Sequence, residues 1–325
     1  MIRDPAARAV AMARGGERPL VPPPHPALAG APHLVAHRGG AGLAPENTLV
    51  AFRQAVEVWG ADMLELDVHA SADGHCVVIH DPTVDRTTDG TGAVARLPLA
   101  ELRRLDAGYR FTPDGGASFP FRGRGVRIPT IEEVLEALPD VRLIVEVKAG
   151  AAQRPLFAAL RRYGAEQRVI VAAMRLRDRT RFRGYPGPVS ASAAACRLFL
   201  LLHRLRLSWL WAPRAHVANL PLAWRGRRLV TRRLVRDLHR RGLAVQVWTV
   251  DDPAEMHRLL DWGVDGIVTD RPDRLAEVLA ERGLRDPPAR GGPAAPAGEP
   301  WSSVAGGCTR GPVKGGPGPP AGEPA

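Results

Sequence analysis

A chain of 325 residues with 45% apolar content can bury a sizeable core in one large domain, and its net charge of +11 favours anionic partners. Three widely spaced cysteines (Cys76, Cys196 and Cys308), with no Cys-x-x-Cys, imply no disulfide framework and no structural zinc site. No apolar run approaches the roughly 18 residues of a membrane span, and no secretory apolar region opens the chain, so a cytoplasmic protein is expected.

Residues 1–33, with the run Val21-Pro22-Pro23-Pro24, read as a flexible leader. Leu34 to His37 is a strand, and Leu49, Phe52, Val56 and Trp59 recur at helical spacing. Met63–Val68 and Cys76–Ile79 are further strands, with His37 and His80 expected where parallel strands deliver residues to a rim. Residues 81–129 form one long connection, read as an insertion. Thr130-Ile131-Glu132-Glu133 is a capping box that opens a helix to Leu138. A strand over 143–147, a helix near 153–163 and strands at 169–172 and 189–191 follow. Residues 193–213 suggest a helix and loop packed on the fold; the alternative is an apolar, arginine-flanked interfacial surface allowing peripheral membrane contact. A weak strand at 215–220, a helix over 231–241, a strand over 244–250, a helix opened by Asp252-Pro253, a strand over 264–268 and a last helix to about 281 complete the pattern. Residues 286–325, rich in Gly, Pro and Ala, read as a disordered tail. The β–α alternation over some 250 residues predicts an α/β fold, a TIM (β/α)₈ barrel over 34–285 with a small insertion after the second strand.

Strand alternation places chemistry on faces. In Leu64-Glu65-Leu66-Asp67-Val68 the two acids share the side opposite the apolar residues. Buried together they would repel, and a divalent cation with oxygen ligands would resolve that cost. Glu146 and Lys148 likewise share one face of Val145-Glu146-Val147-Lys148. Lysine occurs only at Lys148 and Lys314, so the expected folded body retains one lysine among many arginines. A compact ammonium is not replaced by a planar guanidinium, which points to a close role beside phosphate or carboxylates. His37 and His80 can exchange protons near neutral pH. His203, His239 and His257 fall in helical stretches and are expected at the surface.

His37-Arg38-Gly39, Pro45-Glu46-Asn47-Thr48, Glu65-Leu66-Asp67-Val68, His80-Asp81-Pro82-Thr83 and Asp85-Arg86-Thr87-Thr88 together resemble the glycerophosphodiester phosphodiesterase family. So do Ile128-Pro129-Thr130, Glu146-Val147-Lys148, Trp248-Thr249-Val250 and Asp265 to Pro272, in matching order across about 34–282. The resemblance implies a TIM barrel with an insertion after its second strand. It implies a metal ion, Ca²⁺ or Mg²⁺, held by Glu65, Asp67 and Glu146, and acid–base histidines at His37 and His80. Arg38 and Lys148 would contact phosphate, Glu46 would lie near metal and glycerol, and Trp248 would wall the glycerol pocket. Asn47 would support the loop and helix start. The implied substrate is a glycerophosphodiester, cleaved to sn-glycerol 3-phosphate and an alcohol through attack by the glycerol 2-hydroxyl. A lysophospholipase D-type activity at a membrane surface is the alternative. The chain departs from many relatives at Ala172-Ala173-Met174-Arg175, where they carry a serine–phenylalanine pair. A non-catalytic polyanion binder is a remote alternative suggested by Arg232, Arg233, Arg236, Arg240 and Arg241, but no nucleic-acid-binding signature accompanies them.

Overall fold

The computed structural model describes residues 25–287, Ala212 excepted. The expected flexible leader and tail therefore lie largely outside the described residues.

Strands β1 (His33–His37), β2 (Met63–Ala70), β4 (Arg142–Val147), β5 (Val169–Ala172), β6 (Val217–Pro221), β9 (Ala244–Trp248) and β10 (Gly266–Thr269) form a parallel sheet in the order β5-β4-β2-β1-β10-β9-β6. Two parallel bridges, Val171–Val189 and Ser190–Val217, insert residues 189–190 between β5 and β6. The seven strands and this short stave make eight, and the ring closes. The weak strand expected at 189–191 is therefore the closing stave.

Two apolar layers follow from strand alternation. Val35, Met63, Ile144, Ile170, Val217, Ala244 and Val268 fill the barrel interior, whereas Leu34, Leu64, Leu66, Val145, Val171 and Val245 point outward against the helices. The covering helices are α1 (Leu49–Glu57), α3 (Ile131–Ala137), α4 (Gln153–Arg162), α5 (Ala193–Arg204), α6 (Arg232–His239), α7 (Pro253–Asp261) and α8 (Pro272–Glu281). Their entries obey local rules. Thr130 and Glu133 complete the expected capping box of α3, and the Asp252 side chain accepts from the Ala254 N–H, with Pro253 in the first turn of α7.

Three expectations need correction. First, Cys76–Ile79 is not a stave. Its ordered part, β3 (Cys76–Val78), pairs antiparallel with the far end of β2, Val68 opposite Val78 and Ala70 opposite Cys76. Alternating apolar residues specify a strand but not its direction. The excursion from the barrel thus begins after β2, before Asp81, and His80 reaches the rim at the end of a returning hairpin arm. The short helix α2 (Leu99–Leu102) belongs to this excursion, which has its own small core of Val77, Ile79, Val84, Val94, Leu102 and Phe121.

Second, residues 25–32 are ordered. Pro26–Leu28 form a 3₁₀ turn capped by His25, and Leu28, 1% exposed, joins the interior layer of the barrel. Third, His203 and His239 are half-buried and pinned, where exposed positions were expected: each bonds a carboxylate, Asp237 at 2.7 Å and Asp265 at 2.6 Å. Between α6 and β6 lies a small ribbon, β7 (Ala223–Trp224) with β8 (Arg227–Arg228). No helix among the described residues is long and apolar enough to cross a membrane.

Candidate active site

Interior-facing positions change character at the C-terminal ends of the staves. On β2 the inward series runs Met63, Glu65, Asp67; on β4 it runs Ile144, Glu146. The register sets His37 beside Glu65 and Asp67 beside Glu146. One ligand oxygen from each of Glu65, Asp67 and Glu146 lies within 4.8 Å of the others. The expected acidic trio is therefore one cluster, formed because two neighbouring staves, β2 and β4, set Asp67 level with Glu146 and Glu65 two residues before Asp67 on the same inward face.

Two cations face the cluster. Lys148 Nζ lies 2.9 Å from Asp67 Oδ1 and 2.9 Å from Glu146 Oε2. Arg38 Nε lies 3.4 Å from Asp67 Oδ2, and its backbone N–H donates to Glu65 Oε2 at 3.1 Å. Burial and then the nearby Asp67 charge push the Glu65 carboxyl up to about 8. Asp67 moves the other way: burial opposes its charge, but Lys148 and Arg38 hold its carboxyl below the usual range. Glu146 Oε1 is buried and has no hydrogen-bond partner. The cluster is thus short of positive charge and offers an unclaimed hard oxygen. Such a set of oxygen ligands could hold a metal ion.

Each expected histidine has the same arrangement. His37 Nδ1 bonds Asp270 Oδ1 at 2.7 Å, and its Nε2 lies 3.9 Å from Glu65 Oε2. Burial works against charge on His37, but the Asp270 hydrogen bond and the Glu65 charge outweigh it and raise its affinity for a proton. His80 Nδ1 bonds Asp81 Oδ1 at 2.6 Å. Asp81 also takes Arg86 Nε at 2.6 Å; despite some desolvation, these partners bring its carboxyl down to about 2. A carboxylate on Nδ1 fixes the tautomer and leaves Nε2 for chemistry.

Glu46 stands behind this front. It accepts from Arg38 at 2.9 Å and from both terminal nitrogens of Arg86, at 2.7 and 2.8 Å. One chain of charges therefore links Asp67, Arg38, Glu46, Arg86, Asp81 and His80. Asn47 does more than open a helix. At φ +57° it donates to Asp67 Oδ2 and accepts from the Asp67 N–H. Trp248 ends β9, three staves from β2, and packs on the interior layer. No hydrogen bond among the described residues ties it to the acidic cluster.

The roles of Arg86, Asp81 and Asp270 were not assigned from sequence, although all three stand inside the quoted motifs. The carboxylate beside His80 could have been read from the dipeptide His80-Asp81. Asp270 lies 233 residues from His37 and meets it only because β10 pairs with β1. Gly39 allows the tight turn after His37: at φ +87°, a Cβ there would meet Ala51 Cβ at 2.8 Å.

Residues 37–174 and 189–274 match the glycerophosphoryl diester phosphodiesterase family. The chain is 37% identical over 262 residues to the glycerophosphodiester phosphodiesterase of Caldanaerobacter subterraneus subsp. tengcongensis, covering 77% of this chain and 98% of that protein. Among solved structures it resembles the glycerophosphoryl diester phosphodiesterase domain of a Mycobacterium tuberculosis protein, with a TM-score of 0.68 and 25% identity over 77% of this chain and 99% of that one. It also resembles a glycerophosphodiester phosphodiesterase from Agrobacterium tumefaciens, with a TM-score of 0.61 and 28% identity over 75% and 99%. The family match spans both halves of the barrel and every motif that supplies the cluster, and the chain belongs to the glycerophosphoryl diester phosphodiesterase family.

Proposed function

We propose that this chain hydrolyses glycerophosphodiesters to sn-glycerol 3-phosphate and an alcohol, with a divalent cation, Ca²⁺ or Mg²⁺, held by Glu65, Asp67 and Glu146. The observation that carries the reading is the under-neutralised carboxylate cluster at the rim, flanked by a lysine, an arginine and two carboxylate-oriented histidines. When bound, the cation supplies Lewis-acid stabilisation of charge on a phosphoryl oxygen.

The chain's own residues supply the rest. Arg38 and Lys148 hold the phosphodiester with fixed positive charge. Glu46 and Trp248 receive the glycerol end, the carboxylate accepting from hydroxyls and the indole covering the carbon face. One histidine takes the proton of the glycerol 2-hydroxyl as its oxygen forms a bond to phosphorus. The other gives a proton to the departing alcohol as the P–O bond breaks. Water then opens the cyclic phosphate with the two roles exchanged. His37, whose Nδ1 is held by Asp270, is assigned the acid of the first step, and His80, held by Asp81, its base.

The test is a panel of glycerophosphodiesters and lysophospholipids, with and without chelator, reading glycerol 3-phosphate or lysophosphatidic acid. Lysophospholipids belong in it because Met174 and Leu176, just past the end of β5, are exposed apolar residues near the rim. Chelator should abolish turnover, and His37→Gln and His80→Gln should each lower kcat by roughly 10²- to 10⁴-fold. Folded Glu65→Ala and His80→Ala proteins with full turnover would reject the proposal.

A further inference from the structure

One outer wall carries features that the barrel mouth does not explain. Nine large apolar side chains are exposed among the described residues, and eight of them fall between Met174 and Leu210. Helix α5 lies at their centre and has two apolar faces. Phe199, with Cys196 and Leu200, turns into the core. Leu198, Leu201 and Leu205, three and four residues apart, face solvent at 44%, 54% and 57% exposure. The turn after α5 adds Leu207, Leu210 and Trp209, the last 64% exposed. At its other end α5 abuts the rim, where the Ala193 N–H donates to the Met174 carbonyl. Single exposed leucines need no explanation, but a concentration of this kind marks an interaction surface.

Charge indicates what covers it. Between Met174 and Arg214 the sequence has nine arginines and one aspartate, whereas the whole chain has 45 basic and 34 acidic residues. Beside Trp209 lies a groove of about 460 Å³ lined by Arg206, Ser208, Arg233, Asp237, Arg240 and Arg241. Asp237 is shared by His203 at 2.7 Å, Arg240 at 3.6 Å and Arg233 at 3.8 Å. Arg206 and Arg241 have no carboxylate partner among the described residues. A second copy of the chain would bring an equally positive face and be repelled. An anionic bilayer offers apolar depth to the leucines and phosphate to the groove. An amphipathic helix with an apolar ridge, basic flanks and an interfacial tryptophan fits that surface.

We infer that α5 and the turn through Leu210 dock the protein on an anionic lipid bilayer, with Leu198, Leu201, Leu205 and Trp209 entering the interface and the groove arginines contacting lipid phosphate. The inference goes beyond the hydrolysis proposed above and is read by binding alone. The experiment is co-sedimentation of the full chain with phosphatidylglycerol–phosphatidylcholine vesicles and with phosphatidylcholine vesicles. The anionic vesicles should capture the protein, and high salt should release it. Arg206→Gln and Arg241→Gln should each weaken partitioning roughly fivefold. A Leu201→Ser, Leu205→Ser, Trp209→Ser variant should bind at least about tenfold more weakly, with unchanged melting temperature and unchanged hydrolysis of a soluble diester. Equal capture of parent and variant, or no capture by anionic vesicles, overturns the inference. So does a dimer in sedimentation velocity that the triple variant dissociates, which would assign the surface to a second copy.

Discussion

Replacing Lys148 by methionine tests the electrostatics of the rim. The ammonium is 18% exposed and makes two contacts of 2.9 Å, to Asp67, whose side chain is 1% exposed, and to Glu146. Methionine keeps much of the stem but removes the charge. Breaking a buried pair from one side costs about 3–5 kcal/mol, because the partner charge stays buried. Arg38 still faces Asp67, so the lower end applies, about 3 kcal/mol. For a domain of this size that corresponds to a fall in Tm of roughly 6–12 °C. The loss should be largest in chelator. Divalent cation should restore part of it, and should stabilise the variant more than the parent, because the freed carboxylates then bind the cation more tightly. A ligand at about one hundred times its Kd contributes about 2.7 kcal/mol, enough to offset most of the deficit. Lys148→Arg should not restore the parent Tm in chelator, since a planar fork does not fit between two oxygens that an ammonium bridges. Thermal melts of the three proteins with chelator and with Mg²⁺ or Ca²⁺ provide the measurement. An unchanged Tm in chelator, or the same deficit with and without metal, would refute the reasoning.

Three further outcomes follow from the same geometry. Glu65 is raised from an ordinary value of 4.5 to about 8 in the fold. Its contribution to metal-free stability is thus fully present below about pH 4.5 and lost as pH rises through about 8; Glu65→Gln should remove that part of the decline, and identical pH–Tm slopes for parent and variant would contradict it. Asn47→Ala deprives the Asp67 N–H and Oδ2 of their partner and places alanine at φ +57°. A loss of about 2–4 kcal/mol in urea unfolding is expected, with Asn47→Gly recovering only the backbone part. Leu28→Ala should cost about 2–5 kcal/mol because Leu28 seals the interior layer, and a change under about 0.5 kcal/mol would mean that the turn does not plug the barrel.

Much of the site was legible because strand alternation is local. Glu65 with Asp67, and Glu146 with Lys148, could be assigned to one face from five and four residues of sequence, and the lone body lysine marked the position that bridges two carboxylates. The capping box at Thr130 and the Asp252-Pro253 helix start needed only their own neighbours. The amphipathic segment at 193–213 was legible as a helix with two open readings. Which leucines face solvent depends on where the helix sits against the wall, and the sequence does not contain that by itself.

Tertiary structure alone decided the remainder. The direction of β3 depends on pairing with the end of β2, because a strand's side-chain period is the same in either direction. Leu28 follows a proline-rich run that reads as leader, and it becomes core only because the barrel has an open end to fill. His37 meets Asp270, and Asn47 meets Asp67, through closure of the ring and a turn at positive φ. The sequence by itself determined that Glu65 shares a strand face with Asp67 and Glu146 with Lys148, because alternation along a strand is local. Pairing of β1 with β10 decided that Asp270 orients His37, because that contact joins staves that only the ring brings together, and the folded rim left Glu146 Oε1 without a hydrogen-bond partner.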